Sequence, residues 1–101
     1  MKLLLITAIA EFENDIKTIL KKARVKSFSY KNVIGHNDIS EERIETNWFA
    51  SEMNETNSIL FYAFVNKENM DLLFDLITDF NNKQQTASHI HVASVSIEKS
   101  N

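Results

Sequence analysis

The chain has 101 residues, no proline, no cysteine and a single glycine, Gly35. That length suits one domain; the missing cysteines exclude disulfides, thiolate nucleophiles and cysteine metal cages, and a lone glycine cannot build a P-loop or a dinucleotide fingerprint. Fourteen acids against 11 bases give a net charge of −3, concentrated where Asp38, Glu41, Glu42, Glu45, Glu52 and Glu55 face Arg43 alone; such a segment repels a phosphate backbone and argues against nucleic-acid binding.

Residues 2–9, Lys-Leu-Leu-Leu-Ile-Thr-Ala-Ile, are apolar and bounded by charge. They read as a strand buried on both faces, in the middle of a sheet. The run is too short for a membrane span and leads straight into Glu11, Glu13 and Asp15, unlike a secretory leader. A cytoplasmic location is expected. Over residues 11–23 the period changes. Phe12, Ile16, Ile19, Leu20 and Ala23 make a helical stripe, with acids in the first turns and Lys21, Lys22 and Arg24 near the end, complementing the helix dipole. Lys21, Lys22, Arg24, Lys26 and Lys31 form a modest basic stretch, read as a solvated helix end and edge strand or as an anion site.

Residues 25–34 alternate, with Lys26, Phe28, Tyr30, Asn32 and Ile34 on one face and a half-polar set on the other. This predicts an edge strand. Gly35-His36-Asn37-Asp38 reads as a turn. The stretch 36–56 is a long acidic excursion broken by Ile39, Ile44 and Trp48-Phe49-Ala50, with a short strand expected near 46–52. Residues 58–65 form a second strongly apolar strand. Asn66 is the expected N-cap of a helix over 67–82, whose stripe is Met70, Leu73, Phe74 and Ile77, widened by Leu72, Leu76 and Phe80. Residues 89–97 form the last strand.

The order β-α-β-β-α-β predicts an α+β, ferredoxin-like sandwich: a four-stranded antiparallel sheet with two helices on one face. The first and third strands become central, and they are the two that are apolar on both sides. Two helices cover only one face. The other therefore carries large apolar groups, each gaining roughly 1.5–3 kcal/mol on burial, a patch larger than a soluble monomer usually exposes. Self-association is the expected covering. The excursion folded back, with Trp48 and Phe49 as anchors, is the rival.

The chain resembles the nitrogen-regulatory PII-like superfamily in size, element order, the opening strand Lys2 to Ile9, the insertion Gly35 to Thr56 in the place of the mobile T-loop, and the closing His91 to Lys99. It is similar, nearly as well, to the trimeric CutA-like proteins. The resemblance implies a homotrimer with sheets lining a central core, ligands in clefts between subunits, and a regulatory, signalling role through the 36–56 arm. Glu41, Glu42, Glu45, Trp48 and Phe49 would then bind a partner protein. The resemblance also places Lys83 to Ser88 where the family grips nucleotide phosphates. That segment lacks the glycines of the classical loop, so classical ATP or ADP binding is not expected.

His89 and His91, two apart on a strand, share a face. With His36 or nearby acids they make a candidate transition-metal site and the alternative reading, a CutA-like metal-binding protein. No nucleophile–base pair or placed carboxylate pair emerges, so no catalytic residue is assigned.

Overall fold

The computed structural model describes residues 1–36 and 55–101. Strand β1 (Lys2–Ile9) passes through a 3-10 turn (Ala10–Phe12) into helix α1 (Glu13–Lys22). Strands β2 (Ser29–His36) and β3 (Glu55–Val65), helix α2 (Lys67–Lys83) and strand β4 (His91–Ser96) follow. The sheet order is β2-β3-β1-β4, with every neighbouring pair antiparallel. β1 and β3 are central, as their two-sided apolar character requires. β2 and β4 form the edges.

The register sorts the faces. Leu4, Ile6 and Ala8 of β1 pair with Ala63, Phe61 and Ile59 of β3, and all six are buried. Against them pack Phe12, Ile16, Ile19 and Leu20 from the α1 side, and Met70, Leu73 and Ile77 of α2. Phe12 and Phe80 meet edge-to-face at 5.0 Å and tie the two helix layers together. Phe61 stacks on Tyr30 at 5.0 Å and touches Phe28 at 5.6 Å, anchoring edge strand β2. Leu72, expected to widen the α2 stripe, is instead 45% exposed. Asn66 stands at the N-terminus of α2 with extended backbone, but its side chain makes no capping bond.

Helix α1 stops by a Schellman arrangement. Arg24 N–H donates to the Lys21 carbonyl at 3.0 Å and Val25 N–H to the Leu20 carbonyl at 2.9 Å. Both Val25 and Leu20 are buried, supplying the apolar contact that accompanies this motif. The turning residue, Arg24, has φ 64°, the one positive φ among the described residues. Glycine is usual there; a residue with a Cβ costs about 1–2 kcal/mol in that conformation. Val25 thus closes the helix, and the strand predicted from residue 25 begins at Ser29.

Two further corrections concern strand ends. Gly35 and His36, read as a turn, continue β2 and pair with Thr56 and Glu55. Gly35 is buried there with ordinary negative φ. The last strand begins at His91, not at residue 89. The expected short strand near 46–52 lies outside the described residues.

The connection into β4 is held by side-chain amides. Asn81 Nδ2 donates to the Ile90 carbonyl at 2.9 Å, and Ile90 N–H donates to Asn81 Oδ1 at 2.8 Å. This pair satisfies both backbone groups of a residue that is only 3% exposed. Replacing Asn81 by alanine leaves a buried donor and acceptor unmade. The expected loss is about 1–3 kcal/mol, read as a lower urea midpoint with an unchanged m-value.

Candidate functional site

The helix-free face of the sheet is built row by row from the register. Phe64, Leu3 and Val95 form one row across β3, β1 and β4. Tyr62, Leu5 and Ala93 form the next, joined by Ser29 of β2. Then come Lys31, Leu60, Thr7 and His91, and finally Val33, Ser58 and Ile9. The first two rows are apolar and open: Phe64 is 59% exposed, Tyr62 43% and Val95 42%. Toward the other end polar groups enter, and Thr7 and Ser58 are buried. The helix-free face is therefore apolar at one end and mixed at the other.

β2 and β3 run on past the end of β1. Pairing of β1 with β3 ends at Ile9 and Ser58, while β2 and β3 continue to His36 opposite Glu55. The acidic segment 37–54 therefore leaves and returns at neighbouring points of a two-stranded ribbon. Glu41, Glu42, Glu45, Trp48 and Phe49, expected to contact a partner, lie outside the described residues.

The three histidines do not gather. His36 ends edge strand β2, and His91 opens the opposite edge strand β4. The register puts them three strands and about five residues apart, roughly 20 Å. His36 also has the parity of the helix-covered face, while His91 lies on the helix-free one. His89 precedes β4, and its Nδ1 lies 3.0 Å from the Ala87 carbonyl oxygen. Among the described residues, no three His, Asp or Glu side chains come together in a metal-binding group.

The segment in the place of a phosphate-gripping loop is closed by Gln84. Its Nε2 donates to the Thr86 carbonyl at 2.9 Å and to the Ser88 carbonyl, while its Oε1 accepts from Thr86 N–H at 2.8 Å and Thr86 Oγ1 at 2.6 Å. Ser88 N–H donates to Thr86 Oγ1 at 3.2 Å. A side-chain amide does here what glycines would do by backbone freedom.

No protein-family model matches the chain, and comparison with curated proteins finds no relative. Solved structures do match. The nitrogen regulatory PII-like protein CPII from Thiomonas intermedia K12, bound to ADP, AMP and bicarbonate, superposes with a TM-score of 0.61 at 17% identity, over 97% of this chain and 94% of that one. The chain has the PII-like fold. CPII bound to ADP and bicarbonate gives 0.58 at 19% identity, over 93% and 86% of the two chains. A DUF3240 family protein from Shewanella baltica OS155 gives 0.66 at 14%, over 99% and 92%.

These matches correct one expectation. The glycine-free Lys83–Ser88 segment predicts no classical ATP or ADP binding, yet a protein of this PII-like fold holds ADP and AMP. The sequence argument failed because it made a backbone nest the sole means of holding phosphate. Cationic side chains and other backbone donors also do so, and the Gln84 clamp shows that this connection turns without glycine. A transition metal was the other cofactor expectation; the ligands bound to CPII are nucleotides and bicarbonate.

His91 is half-buried at the polar end of the helix-free face. Burial, and then the charge of nearby His89, lower its pKa from the ordinary 6.5. The folded state thus prefers the neutral imidazole, while the unfolded chain takes up a proton near the ordinary value. The stability this confers is fully present above pH 6.5 and is lost as pH falls through the lowered folded value. Urea midpoints measured from pH 7.5 to 5 are expected to fall on acidification. His91→Gln should flatten that dependence.

Proposed function

We propose that the chain is a non-enzymatic, PII-like regulatory module that works as a homotrimer, binding a small ligand at its subunit clefts and a partner protein through the 36–56 arm. One observation carries this reading. Phe64, Tyr62 and Val95 stand open beside Leu3 and Leu5 on the two central strands and one edge, on the face that neither α1 nor α2 covers. Water contact with such a patch is costly, and a second copy of the same face removes it. The PII-like fold supports the choice of a regulatory module.

The ligand class to test first is the adenine nucleotide, because CPII of the same fold is bound to ADP, AMP and bicarbonate. The arm's composition supports the partner role. Trp48 and Phe49 are large apolar residues of the kind that dominate protein interfaces, and the charge of Glu41, Glu42 and Glu45 would favour a basic partner surface.

Sedimentation velocity is expected to give a mass of about 35 kDa, three times the 11.7 kDa chain. Phe64→Glu, which sets charges against one another across the shared face, should shift the protein to monomer without unfolding it. A wild-type monomer at micromolar concentration would remove the basis for the subunit clefts. Titration calorimetry with ADP and AMP then tests the ligand. Deletion of residues 38–54 should keep the trimer and abolish partner capture; equal capture by the deletion protein speaks against the arm.

A further inference from the structure

Away from the helix-free face, a cleft of about 470 Å³ opens between the C-terminal half of α1 and its connection to β2, lined by Lys17, Lys21, Arg24, Val25, Lys26 and Phe28. We propose that this cleft binds a small phosphorylated anion.

Four of the six lining residues are cations, in a chain whose net charge is −3. Lys17 is ion-paired to Glu13 at 2.8 Å; Lys21, Arg24 and Lys26 form no ion pair among the described residues. Cations near a helix C-terminus often serve only to offset the dipole. Here that role is largely filled by the backbone: the carbonyls of Ile19, Leu20 and Lys21 accept from the N–H groups of Ala23, Val25 and Arg24. Lys21, Arg24 and Lys26 thus line the cleft without an acidic partner among the described residues.

The cleft is also shaped. Lys17 Nζ donates to Glu13 Oε2 at 2.8 Å and to Tyr30 Oη at 2.9 Å, and lies 4.4 Å from the Tyr30 ring centroid. One ammonium of the lining is thereby fixed, with the Glu13 carboxylate beside it. Val25 is buried and Phe28 packs on the core, giving an apolar floor for the non-phosphate part of a ligand. The volume falls in the range of small-molecule sites.

Arg24 adds a second line of argument. It occupies the left-handed C-cap position, at φ 64°, where glycine would be free of strain. An arginine thereby lines the cleft where a bare glycine would be usual, and its planar, five-donor guanidinium is the cation best matched to phosphate oxygens. Strain retained where a functional group is needed is a common pattern at ligand sites.

The probe is inorganic tripolyphosphate, titrated at low salt into the full chain and followed by amide chemical shifts. Shifts are expected at Lys17, Lys21, Lys26 and Phe28, weakening as salt is raised. Arg24→Gly should lower the affinity by about tenfold while Tm holds or rises. Lys26→Gln, on the exposed connection, is the second variant and should weaken binding if Arg24→Gly fails to fold. Shifts scattered over all surface lysines, or equal affinity in the folded variants, would overturn the proposal. The two proposals fail separately. ADP binding by a wild-type protein that ignores tripolyphosphate sinks this inference alone; a monomer that binds tripolyphosphate at these residues sinks only the trimeric reading.

Discussion

The pairing of β1 with β3 in the middle of the sheet is the constraint from which the rest follows. Both strands carry apolar side chains up and down, and antiparallel register sends alternate residues to opposite faces. Leu4, Ile6, Ala8, Ile59, Phe61 and Ala63 go beneath the helices and are buried. The same register sends Leu3, Leu5, Tyr62 and Phe64 the other way. A one-residue slip would exchange the two sets and leave the helices packing on the wrong side chains. The helix-side core therefore fixes, with no further choice, which residues the chain presents on its opposite face.

Three regions with different chemistry are thereby held apart. The helix-free face is apolar where β1 starts and mixed where it ends, around Thr7, Ser58 and His91. The ribbon of β2 and β3 reaches past it and brings the two ends of the acidic segment together at His36 and Glu55. The basic cleft lies at the end of α1, beside Tyr30 and Phe28, whose rings pack on Phe61. The cleft and the point where the acidic segment departs lie at opposite ends of β2.

Periodicity made the architecture legible. The two-sided apolar runs 2–9 and 58–65 became the central strands, and the 3.6-residue stripes became the helices. Boundaries were less legible, for identifiable reasons. Val25 followed by alternating residues looks like a strand start, but the same buried valine closes a Schellman motif. Glu55, Thr56 and Asn57 are polar, so their pairing with the end of β2 left no hydrophobic signature. Gly35 looked like punctuation and is an ordinary strand residue. His89 and His91 fit a shared strand face, but the amide clamps of Asn81 and Gln84 hold the chain out of the sheet until His91. The site was only partly legible. The sequence foretold the apolar face, because alternation sets it. It offered the basic stretch as an anion site without the cleft, because Lys17 joins Arg24 and Phe28 only once α1 packs against β2.

The Asn81–Ile90 pair has a consequence for the edge of the sheet. β4 is the shortest strand among the described residues, with six residues, and among them it pairs only with β1. The residue before it, Ile90, is held by a side chain on α2, so the seating of the strand is tied to the seating of the helix. The carboxyl-terminal strand is thus a latch on the edge of β1. Until it closes, β1 offers a bare row of amide and carbonyl groups to any passing chain. A side-chain amide on a helix thus helps keep a central strand out of reach of other chains.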